Sequence, residues 1–140
     1  MIFRMTHPAV DFCIVCSKFE ESLHFYRDVL ELEVVADVVI PADFAQATGL
    51  APRGFRQVRL KAGHTVIKLM EIESPPPTPP DLFAAGVRWL TFFVEDHEQT
   101  VAKLKAKGVQ FLSEAMIAPD GAKLICTKDP DGILIELVQL

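Results

Sequence analysis

Four groups of residues in this chain have the chemistry and the spacing to form a site. Cys13 and Cys16 make a C-x-x-C pair, a spacing used by redox dithiols and by metal ligands. Histidines stand at positions 24, 64 and 97, each able to hold a proton or a metal. Arg56 and Arg59 lie three apart. Two further charges are embedded in aliphatic runs: Lys68 in Val66-Ile67-Lys68-Leu69 and Glu136 in Leu134-Ile135-Glu136-Leu137.

The elements that carry these residues decide which groups can act together. The apolar run ending Asp11-Phe12-Cys13-Ile14-Val15-Cys16 reads as a strand, and residues three apart on a strand face opposite sides. The two thiols therefore cannot share a metal or bridge, and two small strand residues explain the pair. The same alternation lets only one of Arg56 and Arg59 face inward, and a solvated strand edge accounts for both. His24 falls on a helix and His64 in a turn. His97, between Asp96 and Glu98 at a helix start, reads as a polar side chain facing solvent.

The strand at 11–16 is followed by a helical stretch, Glu20–Leu30, with apolar spacing at Phe19, Leu23, Tyr26 and Leu30. The plan recurs 78 residues later (89 − 11 = 78). Trp89-Leu90-Thr91-Phe92-Phe93-Val94 is a strand, and His97–Lys107 a helix with Val101 and Leu104 inward and Gly108 closing it. Strands are predicted over Leu32–Ile40, Phe55–Leu60 and Thr65–Ile72 in the first half. In the second they are predicted over Val109–Leu112, Lys123–Thr127 and Ile133–Val138. Gly63-His64 and Asp129-Pro130-Asp131-Gly132 supply hairpin turns, and Pro41–Leu50 reads as a short inserted helix. The halves meet at Ser74-Pro75-Pro76-Pro77-Thr78-Pro79-Pro80, a stiff extended connector. The expectation is one α+β domain over 1–140: module one at 1–73, the connector at 74–80 and module two at 81–140. Each module is β-α-β-β-β, and together they form an open barrel around a cavity.

Bulk properties exclude several classes. A net charge of −5 argues against nucleic acid, which calls for a basic face. No apolar run approaches the 18 or so residues of a membrane span, and the first eight residues lack the apolar core of a secretory signal. Three cysteines do not make a disulfide framework. A cytoplasmic location is expected.

Two motifs carry a family resemblance. Ser22-Leu23-His24-Phe25-Tyr26-Arg27-Asp28-Val29-Leu30-Glu31-Leu32 is similar to the first-helix signature of the vicinal-oxygen-chelate superfamily, S-x-x-F-Y-x-x-x-L-G-[LF]. Asp129-Pro130-Asp131-Gly132-Ile133-Leu134-Ile135-Glu136-Leu137 resembles its closing motif, D-P-D-G-x-x-[IL]-E-[LF]. This glyoxalase, bleomycin-resistance and dioxygenase superfamily places metal ligands on the first and last strand of each module. The resemblance puts those positions at Asp11, Lys68, Trp89 and Glu136. Members with glyoxalase or epimerase activity usually have His, Glu or Gln, His and Glu there, dioxygenases use two His and a Glu, and here only Glu136 matches.

Strand alternation points the four positions the same way, since Ile67 and Leu69 flank Lys68 and Ile135 and Leu137 flank Glu136. Asp11, Cys13 and Val15 then line the cavity from one strand, and Trp89, Thr91 and Phe93 from another. Tryptophan offers no lone pair and lysine is cationic, so no metal and no other cofactor is expected. Two buried carboxylates about 5 Å apart would repel by roughly 3 kcal/mol at an effective dielectric near 20. Lys68 would offset that, standing in for the cation. A satisfied ion pair without chemistry is the plain alternative.

The resemblance implies a homodimer that binds or acts on a small molecule. As an enzyme it would be a lyase or isomerase of the lactoylglutathione lyase kind. Glu136 would be the catalytic base, with Asp11, Lys68, Trp89, Thr91 and Phe93 holding substrate. The rivals are a ligand-sequestering protein of the bleomycin-resistance type and a metal-dependent lyase or dioxygenase with atypical ligands.

Overall fold

A computed structural model describes residues 4–80 and 83–140. Residues 81 and 82, where the second module is expected to begin, lie outside the described residues, as do 1–3. The chain forms two compact units, 1–77 and 78–140, and residues 74–80 contain neither helix nor strand.

The first unit is β1 (Phe12–Val15), α1 (Phe19–Leu23), β2 (Glu33–Ile40), α2 (Ala42–Thr48), β3 (Phe55–Ala62) and β4 (Thr65–Glu71). Its four-stranded sheet has the order β1-β4-β3-β2. β1 runs parallel to β4, and the other pairs are antiparallel. The second unit is β5 (Trp89–Phe93), α3 (His97–Ala106), β6 (Met116–Ile117), β7 (Lys123–Lys128) and β8 (Leu134–Gln139). Its order, β5-β8-β7-β6 with β5 and β8 parallel, repeats the first. Both units are therefore βαβββ modules of an α+β fold, the first with an extra helix.

Each module buries one sheet face. In the first, Ile14, Val58, Leu60, Ile67 and Leu69 are buried with Leu23 and Tyr26 of the helical segment. In the second, Ile125, Ile135 and Leu137 are buried with Leu104 of α3. Each fully buried aliphatic of this kind contributes about 1.5–3 kcal/mol. Gly63, with φ 63°, opens the two-residue β3–β4 turn. Gly108, with φ 89°, lets α3 end in a Schellman pair, Val109 N–H to the Leu104 carbonyl and Gly108 N–H to the Lys105 carbonyl, both at 3.0 Å. In the Asp129–Gly132 turn, Asp129 Oδ1 accepts from the N–H groups of Asp131 and Ile133, each at 2.9 Å.

Three local expectations are corrected. The stretch expected as one α-helix over 20–30 changes at His24 into a π-helix, His24–Val29, with Leu30 N–H reaching the Phe25 carbonyl at 2.9 Å. The wider turn buries adjacent Phe25 and Tyr26 together, their rings in an edge contact at 5.1 Å. Val109–Leu112 is not a strand. The stretch is tied to the sheet by Leu112 N–H to the Cys126 carbonyl and by Thr127 Oγ1 to the Gln110 carbonyl, and the second strand of the module is the short β6. His97 does not face solvent: it is 1% exposed, with Nε2 3.2 Å from the Leu137 carbonyl. Its place at the first turn of α3, over β8, puts it on the buried side of the helix.

Candidate functional site

The side of each sheet away from its helix carries the candidate residues. In module one the register sets Cys13 beside Lys68 and Val15 beside Met70. It sets Arg59 opposite Lys68 and Gln57 opposite Met70. Lys68 is half-buried between Ile67 and Leu69, and Arg59 between Val58 and Leu60. Arg59 is therefore not on a solvated edge, because β3 is an interior strand of the sheet. Arg56 points to the other side, where it pairs with Asp37 at 2.8 Å and Glu71 at 3.3 Å and lies over the Phe19 ring. Arg59 Nε donates to Gln57 Oε1 at 2.6 Å.

Part of this open face is covered. Ile40, Ala45, Ala51, Phe55, Met70 and Ile72 form an apolar cluster that packs α2 and its following loop onto the sheet. Next to it lies a cavity of about 290 Å³ whose wall includes Val15, Leu50, Ala51, Met70, Ile72 and Pro76. Burial pushes the Cys13 thiol above its ordinary range, and the positive charge of Lys68 pulls it the other way. Cys16, on the opposite face as the alternation requires, is 1% exposed.

Asp11 lies just before β1, and its Oδ1 accepts from the Val66 N–H at 2.8 Å. That bond ties the start of β1 to β4. No ion pair joins Asp11 to Lys68 among the described residues.

In module two, Trp89, Thr91 and Phe93 alternate on the open side of β5, with Trp89 53% and Phe93 68% exposed. Glu136 is the register partner of Thr91 on β8 and of Cys126 on β7. Thr91 Oγ1 donates to Glu136 Oε1 at 2.8 Å. Burial, and then the charge of Glu136, push the Cys126 thiol up. Of the expected site residues, the structure thus joins Thr91 to Glu136 and sets Trp89 and Phe93 on the same face. It adds Arg59, Gln57 and Cys126. Arg59 carries the signal that identified Lys68, a charge between two buried aliphatics.

A sequence model of the Glyoxalase/Bleomycin resistance protein/Dioxygenase superfamily matches residues 4–137, nearly the whole chain. The chain belongs to this superfamily. It is 29% identical over 127 residues to the uncharacterized protein YwkD of Bacillus subtilis, covering 90% of this chain and 91% of that one. It is 27% identical over 126 residues to the uncharacterized protein YaeR of Escherichia coli, with the same two coverages. Among solved structures it resembles a glyoxalase family protein from Bacillus cereus, with TM-score 0.77, 21% identity and 99% and 96% of the two chains covered. A lactoylglutathione lyase from Agrobacterium tumefaciens superposes at TM-score 0.64 with 18% identity, covering 96% of each chain. At these identities the structural likenesses speak to the fold.

The residues at the superfamily's metal positions do not fit a metal. Lys68 and Trp89 bring no donor lone pair, and Asp11 spends an oxygen on a backbone N–H. Among the described residues no three His, Cys, Asp or Glu side chains are grouped to hold an ion. The histidines have other contacts: His24 pairs with Asp28 at 3.1 Å on the helical segment, and His64 sits in the β3–β4 turn with its carbonyl 2.7 Å from His7 Nε2.

Proposed function

We propose that this glyoxalase-superfamily protein binds a small organic molecule on the open sheet faces of its modules. As an enzyme it removes a proton next to a carbonyl, in lyase or isomerase fashion, without the superfamily's metal. In module two Glu136 is the base, with Trp89, Thr91 and Phe93 positioning substrate; in module one Lys68 stabilises an anionic group, with Asp11 beside it. The observation that carries this is the Thr91–Glu136 hydrogen bond, which fixes one carboxylate oxygen and leaves Oε2 without a protein partner among the described residues. A base must be aimed before its basicity matters.

The test is native mass spectrometry for a co-purifying ligand, followed by incubation of that ligand with protein in D2O. Wild type should exchange deuterium at the carbon next to the carbonyl, and Glu136→Gln should bind without exchanging. Equal exchange in the two sinks the assignment of Glu136. Retention with no exchange in either selects the sequestering reading, which the exposed rings of Trp89 and Phe93 favour because they offer stacking faces.

The protein is proposed to act as a homodimer in the cytoplasm. Exposed Val35 and Val39 on edge strand β2 and Met116 and Ile117 on edge strand β6 favour association. The free cysteines suit a reducing compartment. Light scattering at micromolar concentration should give twice the 15.6 kDa chain mass, and the monomer mass would rule the dimer out.

A further inference from the structure

Lys68 and Arg59 stand directly opposite one another on antiparallel strands, on the same open face. Opposed residues have their β-carbons about 4.5–5.5 Å apart, and like charges so placed repel. Among the described residues no carboxylate of module one pairs with either. Its ion pairs are Lys18 with Glu21, His24 and Arg27 both with Asp28, and Arg56 with Asp37 and Glu71. Asp11 is committed to the Val66 N–H, and Lys61, further along β3, has Glu33 as its register partner. Gln57 takes the Nε–H of Arg59 at 2.6 Å and so aims the guanidinium. Both Nη groups are left without a protein partner among the described residues. An aimed, half-buried guanidinium beside a lysine is an arrangement an oxyanion completes, because the planar fork matches two oxygens at once.

The second observation lies two residues along β4. Met70 shares the face of Lys68, about 7 Å away at the strand rise of 3.3–3.4 Å per residue, and with Val15 it walls the 290 Å³ cavity. The polar side chains of its lining are Ser74 and Arg53, the latter held by the Glu73 carbonyl at 3.0 Å. Its volume is at the lower end for ligand pockets, roughly 300–1,000 Å³, which suits a body of about six carbons.

We infer that module one binds a small amphipathic oxyanion, a carboxylate or phosphate held by Lys68 and Arg59 with its short apolar body in the cavity beside Met70. The inference rests on the small-molecule reading above and names the class of molecule.

Calorimetric titration of the full chain with hexanoate, hexyl phosphate and 1-hexanol tests it. At least one anion should bind, and its preference over the other identifies the headgroup. 1-Hexanol should bind at least about tenfold more weakly, the worth of one charge-assisted hydrogen bond. Arg59→Gln should weaken the anion by about tenfold or more and leave 1-hexanol unchanged. Leu50→Trp, which fills the cavity from an exposed position, should weaken all three. Arg59→Lys keeps the charge and should retain more affinity than Arg59→Gln; equal loss in both would mark disturbed packing and overturn the assignment. So would anions that bind no better than 1-hexanol, or an Arg59→Gln variant that binds as wild type does. Binding of 1-hexanol alone removes the oxyanion while sparing a small-molecule site. The role of Glu136 stands or falls separately, on deuterium exchange.

Discussion

In module one, the β2–β3 connection contains α2, which folds over the open face and packs Ala45, Ala51, Phe55 and Met70 beneath it. In module two, the β6–β7 connection is only the turn at 118–122, and Trp89 and Phe93 stay exposed on the equivalent face. The charges differ in the same way: module one presents Lys68 and Arg59, module two a carboxylate held by Thr91. One scaffold, repeated, thus carries two different chemistries, because the buried side is constrained by packing while the open side changes with a loop and a few alternating residues.

The largest expected effect separates the covered face from the bare one. Phe55→Ala removes a 5%-exposed ring from the α2 cluster and should cost about 3–5 kcal/mol. Phe93→Ala, on the open face of module two, should cost under about 1 kcal/mol by area lost from an exposed ring. Urea denaturation checks both, and similar losses would mean the faces are equally packed.

Turn glycines should matter in both modules. Gly63→Ala and Gly108→Ala meet open space but force a left-handed backbone, so each should cost about 1–2 kcal/mol, read from the same curves.

A smaller effect has opposite signs in the two modules. Lys68 favours the Cys13 thiolate and Glu136 disfavours that of Cys126. Lys68→Met should therefore slow iodoacetamide labelling of Cys13 at pH 8, and Glu136→Gln should speed that of Cys126, each a few-fold. Peptide mass spectrometry resolves the two sites, and changes of the same sign would contradict the charge assignment.

The smallest effect is at the surface. The hydrogen bond from Arg56 holds the Asp37 carboxyl below its ordinary range. A depressed folded value means stability that is present above the unfolded pKa, about 3.9, and is lost as pH falls through the folded one. The small stability gap between wild type and Asp37→Asn should be full at pH 6 and narrow progressively as pH falls below about 4. A gap as wide at pH 3 as at pH 6 would show that the pair is not its source.

The repeat and both modules were legible because buried strands flank each charge with aliphatics, as around Lys68 and Glu136. The same signal surrounded Arg59, but its neighbour Arg56 obscured which one faces the open side; the register settles it through Lys68. His97 was misread because its sequence neighbours, Asp96 and Glu98, are polar while its spatial neighbours on β8 are not. The π-helix had no signal in Ser22–Leu32, whose apolar spacing suits an ordinary helix nearly as well. The residue roles at the site depend on a ligand, which no strand pattern specifies.

The parallel pairings carry a kinetic consequence. Phe12 meets Ile67, 55 residues on (67 − 12), and Trp89 meets Leu134, 45 residues on (134 − 89). The β3–β4 and β7–β8 hairpins close over short turns, on the order of microseconds, whereas the long closures must wait for enough chain to be ordered to offset their entropy. β1 and β5 are therefore expected to dock last in their modules. Cys13 and Asp11, and Trp89 and Thr91, arrive with them, so a chain caught before that step would hold Lys68 and Glu136 in place but lack half of each candidate face.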